Sequence, residues 1–553
     1  MRRLTLHSAP FMILVLLTAA CVPEGREAVF RPPENFGTLV GRIFDADGEV
    51  PMPARVVVRG SNGTVYMAED GLAYVRRESP EFDRHFTTIG NTFTVFLPPG
   101  PATITIERGK EYETLQETID VATGTTVRKD FVLTRWIHMA ERDWYAGDFH
   151  VHRPLKDVAG LILADDLNVA LVQSVWNNRR DPELEQYLER ADADGVIVAD
   201  EQHLYSVLSQ EIERYGGALM MNAIGTQEIS FSGWYDNRNP TDLSLIDQVR
   251  AQNGYIDLEK PLWRESHINV ALGGADFIGL AHNHFWYSGG SLEDAWGWSR
   301  HELDTVYPGG LVGLVRYTCD LYYAFLNCGF RVMPSAGSAT GVMPSPVGYN
   351  RVYAQVEGEF TFRNWLRALK AGRSFATNGP MLIMTADGQP MGSTVSVSRA
   401  DAEVTVVCEI NSRDPIDRLE IIRDGAVVHT VRPEISDNHA RVEVRVPVAQ
   451  SGWIAARCFE PSTDTERFAH TAPIFLDVPG RPFIPVRKAV EYFLGRTRAL
   501  IAETESGVPP TYRGTRVYER HLKEIDFKSD EHRVATLKVY RDAVEIFEGL
   551  LAE

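Results

Sequence analysis

What this chain of 553 residues lacks narrows its function first. It lacks a basic excess: 56 Lys and Arg stand against 75 Asp and Glu, a formal net charge of −19. Affinity for a phosphate backbone depends on neutralising phosphates with Lys and Arg, so no nucleic-acid partner is expected. The apolar stretch Pro10 to Ala20 is too short to span a bilayer as a stable helix. Cysteine is sparse, with five in all, and the four beyond Cys21 leave room for two bridges at most. With 44% hydrophobic and 24% charged residues the chain has neither the skew of a disordered protein nor that of a polytopic membrane protein. Its length exceeds what one core organises, so three or four domains are expected.

What is present begins with an address. Arg2 and Arg3 precede the apolar run, and small residues lead to Cys21. Leu17-Thr18-Ala19-Ala20-Cys21 resembles a bacterial lipobox, which implies a signal peptide over 1–20 and a lipidated Cys21. The expected location is the bacterial cell envelope, exported and lipid-anchored, periplasmic or on the outer surface. Residues 21–35 are polar and contain prolines, a tether between anchor and body. Cys408 and Cys458 lie in strand-like runs and could bridge two sheets in an oxidising compartment; Cys319 and Cys328 form a second candidate pair or remain buried thiols.

From 36 to 136 short alternating strands such as Leu39–Ile43, Arg55–Arg59, Thr92–Leu97 and Ala102–Glu107 are separated by turn residues, including Asp47-Gly48 and Pro98-Pro99-Gly100. A small β-sandwich follows; it resembles carboxypeptidase regulatory-like, transthyretin-like modules. Between 137 and 390 strand-like pieces (Tyr145–His152, Asn168–Val175, Ala218–Ile224, Asp276–His282) alternate with helical stretches (Leu155–Asp165, Pro182–Ala193). This predicts an α/β domain of largely parallel strands, an open sheet or one closed into a barrel, with its chemistry at the C-terminal strand ends. Strands return over 391–480 as a second β-sandwich, and 481–553 is helical. In that tail Leu537, Tyr540, Val544, Phe547 and Leu551 repeat at helical spacing, a stripe expected to pack on the chain's own body.

Side chains alternate along a strand, so in Asp148-Phe149-His150-Val151-His152 the two histidines point the same way. Two imidazoles on one face suit a first-row divalent metal. Chance would give roughly 0.4 His-x-His pairs in a chain of this composition, whereas a second pair, His282-Asn283-His284, also ends an apolar strand.

Tyr145-Ala146-Gly147-Asp148-Phe149-His150-Val151-His152 resembles the first motif of polymerase-and-histidinol-phosphatase (PHP) domains, in particular their carbaryl-hydrolase-like branch. That branch joins a distorted β/α barrel to a β-domain through a segment similar to Leu369 to Pro380. The resemblance implies metal ligation by His150, His152 and His282, with Glu228 bridging two ions; His284, paired with His282 at its strand end, is a further candidate ligand. The chain departs from the pattern at Val175-Trp176-Asn177-Asn178 and at Ser335 to Gly341, where the family has Asp and His ligands. One or two ions (Zn, Mn or Fe) are therefore expected rather than three.

Arg153 could hold an anionic substrate or pair with Asp157, and Arg153 or Asn177 would stabilise developing negative charge; His203, Arg316, Asp320, Tyr322 and Tyr323 are further pocket candidates. Trp286, Tyr287, Trp296 and Trp298 could form an aromatic wall or a packed loop. Two functions follow: a metal-dependent hydrolase of an ester, amide, carbamate or phosphoester in a small-molecule or envelope substrate, with Glu228 orienting the water, or a catalytically inactive PHP-like surface binding protein.

Overall fold

A computed structural model describes residues 33–46, 50–73, 85–214, 216–230, 241–287, 289–290, 307–399, 402–506 and 529–552. The expected signal peptide, Cys21, most of the tether, Trp296 and Trp298 lie outside the described residues.

Alternation in the first strand, Gly37–Asp45, turns Leu39 and Ile43 inward. It pairs antiparallel with Thr92–Leu97 and parallel with Thr126–Leu133. A second sheet centres on Arg55–Arg59 and Gly100–Glu107. The two sheets share one apolar core that includes Val56, Phe93, Ile104 and Phe131. Among the described residues, buried apolar side chains drawn from Met139 to Phe547 form another. The chain is thus multidomain and mostly β, with several sheets and helices at its C-terminal end.

The second core is built on β1 (Trp144–Val151), which runs parallel to β2 (Val169–Val172), itself parallel to β3 (His203–Ser206). Just beyond β2, Val175–Trp176 runs parallel to β4 (Gln210–Arg214). Antiparallel ladders join β4 to β5 (Gly217–Asn222) and β5 to β6 (Tyr255–Leu258). Parallel ladders join β6 to β7 (Phe277–Ala281) and β7 to β8 (Met333–Ala336). Thr340, just past β8, bridges back to Val151, so the succession of ladders returns to β1.

Helices α1 (Leu155–Ala164), α2 (Gly310–Asn327) and α3 (Phe362–Lys370) pack on this framework. Phe149 faces the core, against Phe277 at 5.3 Å and Trp365 of α3 at 5.6 Å. A Cβ at Gly147 would lie 2.2 Å from the Trp365 ring, so only glycine lets α3 seat on β1.

On its other edge β1 pairs with β9 (Arg351–Gln355), β9 with β10 (Ser374–Thr377), and β10 with β11 (Phe468–Thr471). One hydrogen-bonded sheet therefore crosses the boundary expected near 390, where the apolar core is also continuous. The reason is local: Ser374-Phe375-Ala376-Thr377 is fully buried and satisfies its backbone groups on both neighbours. Cys408 and Cys458 correct another expectation, for the structure holds both as free thiols. They sit on separate sheets as small buried side chains, and burial pushes the Cys408 thiol up to about 12.

The tail helices α4 (Arg487–Ser506) and α5 (Asp530–Ala552) pack on each other and on the body. Phe493 stacks on Phe325 at 4.7 Å, and Leu537, Tyr540 and Phe547 are buried. Among the described residues no helix is long and apolar enough to cross a membrane.

Candidate metal centre

His150 lies near the end of β1 and His152 just beyond it. Gly337 makes room for them, because a Cβ there would come within 2.6 Å of the His150 Cβ. Asp148, two residues earlier, does not join them as a ligand. Its carboxylate accepts from the backbone N–H groups of His150, Ser338 and Gly348 at 2.8–3.0 Å, tying the segment after β8 to β1.

The two histidine Nε2 atoms are 2.8 Å apart. Both face the same oxygen of Glu211 on β4, His150 at 3.2 Å and His152 at 2.9 Å. Glu211 is 1% exposed. Ligands 2.0–2.2 Å from a tetrahedral ion stand about 3.3 Å apart, so this triangle accepts a first-row ion with an opening of a few tenths of an ångström. Among the described residues it is the one group of His, Cys, Asp or Glu whose ligand atoms converge in this way. Two imidazoles and a carboxylate leave a coordination position open, as in catalytic rather than structural sites.

Other buried acids surround the triangle. Glu259, just past β6, places its Oε1 3.3 Å from His150 Nδ1 and 2.5 Å from Lys260 Nζ. Trp176 Nε1 donates to Glu213 at 2.9 Å, and Ser335 Oγ donates to Asp257 at 2.8 Å. Burial opposes a charged His150, but Glu211 and Glu259 outweigh it and raise the imidazole to about 10. Burial likewise opposes ionised Glu211, yet the two histidines bring it down to about 2. Burial, with charge on His150, depresses His152. Burial, then the neighbouring carboxylates, lifts Glu213 to about 7; burial, with Glu259 adding to it, lifts Asp257 to about 7.

Beside the triangle lies a pocket of about 220 Å³ lined by His152, Arg153, Gln173, Trp176, Arg179 and Arg180, among others. Trp176 packs on His152, with ring centroids 4.7 Å apart, and Arg179 lies over the outer part of the Trp176 ring at 5.4 Å. Arg153 reaches Asp157 at 3.7 Å while lining this pocket.

The remaining expected residues go elsewhere. Glu228 is a correction: its side chain is 36% exposed and accepts from Arg180 at 2.6 Å, because it lies in the turn after β5 and not on a strand facing the histidines. Asn177 is a brace and does not line the pocket: its backbone N–H donates to the Glu211 carbonyl and its side-chain oxygen accepts from Glu213 N–H, both at 2.8 Å. Asn tolerates its φ of 53°. His203 is held by Asp200 at 2.7 Å and faces Asp166 at 3.7 Å. Arg316 and Asp320 are on the exposed side of α2, Asp320 accepting from Tyr307 at 2.7 Å. The buried Tyr322 donates to the Val332 carbonyl at 3.1 Å, and Tyr323 shares a 2.7 Å hydrogen bond with His470. Tyr287 donates to Glu107 of the N-terminal sheets at 2.9 Å, so this aromatic serves a domain junction.

His282 and His284 are buried together with ring centroids 5.4 Å apart, but among the described residues no carboxylate closes on them as Glu211 does on the first pair. His282 Nε2 meets Thr318 Oγ1 at 3.2 Å. Burial, with His284 and Lys260 adding to it, holds His282 well below its ordinary value; burial and Lys260 bring His284 down to about 3.

Sequence reading missed Glu211 and Glu259. The signal was present as alternation: in Gln210-Glu211-Ile212-Glu213 both acids share one face while Ile212 takes the other, and Asp257 and Glu259 repeat that spacing.

No known protein family matches the chain, and no curated protein does. Among solved structures, a minor pilin of the Gram-positive pathogen Streptococcus agalactiae aligns at 17% identity with a TM-score of 0.16. That alignment covers 18% of this chain and 45% of the pilin chain, and it carries no argument about fold or function.

Proposed function

We propose that this protein is a metal-dependent hydrolase in which His150, His152 and Glu211 hold one divalent ion, Zn, Mn or Fe. The observation that carries the reading is the triangle of two imidazole nitrogens and one carboxylate oxygen, 2.8–3.2 Å on a side and largely buried, with His152 at the pocket. A bound ion would supply a water of lowered pKa and polarise the scissile oxygen. The chain's own residues supply the rest. Glu211 and Glu259 offset the ion's charge, while Trp176 closes one wall and fixes the Glu213 carboxyl. Arg153 and Arg179 line the mouth and favour a substrate carrying negative charge beside its ester, amide or phosphoester bond.

The return of the strand ladders to β1 supports the PHP-like barrel reading, with the triangle just past the C-terminal end of β1. The lipobox-like Leu17 to Cys21 supports an exported, lipid-anchored protein of the bacterial envelope. The second reading, a binding protein without turnover, is favoured by the His282–His284 pair, where the charge of Lys260 acts on His284 more strongly than the Glu259 carboxylate does.

Metal analysis of purified protein separates the readings. Zn²⁺- or Mn²⁺-loaded protein is expected to retain metal that His150→Ala and Glu211→Gln lose, and to hydrolyse a member of an anionic ester and phosphoester panel in an EDTA-sensitive way. Protein that stays metal-free after loading would sink the hydrolase reading; ligand binding that survives EDTA, with no hydrolysis, would favour the binder.

A further inference from the structure

Two strand ends carry His-x-His pairs, and beside the second, at the end of its parallel neighbour β6, sits a buried lysine. Lys260 is 1% exposed, deeper than any ordinary lysine. Its ammonium is 2.5 Å from Glu259 Oε1, the same oxygen that faces His150 Nδ1 at 3.3 Å, and lies 4.3 Å from the Trp263 ring centroid. The turn that carries it is pinned by Ser266 Oγ, which donates to the Lys260 carbonyl at 3.0 Å. Glu259 is pinned from the other side: a Cβ at Gly279 of β7 would fall 1.8 Å from the Glu259 carbonyl oxygen, so β7 seats directly on this backbone. The ammonium has little freedom to leave.

We propose that Lys260 is a built-in second cation: its ammonium occupies the place beside Glu259 that a second metal ion would need, and it limits the centre to one ion. This rests on the metal reading of the His150 triangle and deepens it. Without the ammonium, Glu259 and the buried imidazoles of His282 and His284 remain, the residue types that make up the triangle on β1. With it, Glu259 is already paired and a dication approaching His284 meets a fixed positive charge. β6 and β7 run side by side in parallel, with Leu258 opposite Ile278, so Lys260 and the His282–His284 segment leave neighbouring strand ends. A covalently tethered ammonium brings one charge and no open coordination position, so this half of the centre orients anions rather than activating water.

The test is metal stoichiometry of the full chain after loading with Mn²⁺ and removal of excess ion. Wild-type protein is expected to hold one ion, Lys260→Met two, and Lys260→Met/His284→Ala one again, with near-UV circular dichroism confirming that each variant is folded. Two ions in wild-type protein, or one in folded Lys260→Met, would overturn the proposal while leaving the metal reading intact. No ion in wild-type protein would overturn both. Should Lys260→Met fail to fold, electron paramagnetic resonance of Mn²⁺-saturated wild-type protein decides the matter. An uncoupled six-line spectrum is expected, and the multiline spectrum of a coupled pair would overturn the proposal.

Discussion

The chain carries two His-x-His pairs, each at or just past the end of a buried strand, and they come to opposite electrostatic ends. His150 and His152 meet Glu211 and Glu259, and His150 is driven up to about 10. His282 and His284 meet Thr318 and the charge of Lys260, and His284 falls to about 3. His150, His282 and His284 are buried and His152 nearly so, so burial does not separate the pairs. Carboxylates do: a site that attracts protons so strongly also attracts a metal cation, and one that repels them does not. Spacing along a strand supplies the geometry of a half-site, and the charge brought by a neighbouring strand decides what it binds.

Glu211→Gln should erase this contrast most completely. Removing one ligand is expected to weaken metal affinity by about 100-fold or more, measured by isothermal titration calorimetry. In metal-free protein the same change strands charge on His150 and should cost about 3–5 kcal/mol in urea unfolding. His282→Ala, by contrast, should leave affinity within a few-fold of wild type; a loss as large as that of Glu211→Gln would show that the two pairs act as one centre.

Acid and alkali should act on the pairs in opposite senses. In EDTA-treated protein His284 at about 3 lies below its unfolded value of 6.5, so its contribution to stability is complete above pH 6.5 and is lost as pH falls toward 3. His150 at about 10 lies above 6.5, so its contribution is complete below pH 6.5 and is lost as pH rises toward 10. Unfolding free energies from urea titrations should therefore lose about 2–4 kcal/mol of their pH dependence, on the acid limb with His284→Gln and on the alkaline limb with His150→Gln. Matching limbs in both variants would contradict the assigned charges.

These particulars show where the sequence was legible. The histidine pair could be read because a strand's two-residue period is local and needs no knowledge of its neighbours. Strands elsewhere were legible for the same reason, as with Leu39 and Ile43 in the N-terminal sheets. Glu211 was not, since Gln-Glu-Ile-Glu-Arg looks like a solvated segment until β4 is placed beside Val175–Trp176. Glu228 was misplaced because a turn acid and a strand-face acid look alike when the pairing is unknown. The continuous sheet through β10 escaped notice because its partner, β11, lies more than ninety residues further on.

Two smaller effects sharpen the contrast further. Glu213→Gln keeps the hydrogen-bonding shape beneath Trp176 but removes a carboxyl held near neutrality, and should change metal affinity by no more than about tenfold. Glu228→Ala removes only a partly exposed ion pair with Arg180, so metal affinity should not change and stability should fall by less than about 1 kcal/mol.

The most direct measurement is an anomalous-scattering map from crystals soaked in Zn²⁺ or Mn²⁺. A single peak within bonding distance of His150 Nε2, His152 Nε2 and the Glu211 carboxylate is expected. A peak on His282 and His284, or none at any soak concentration, would contradict the assignment.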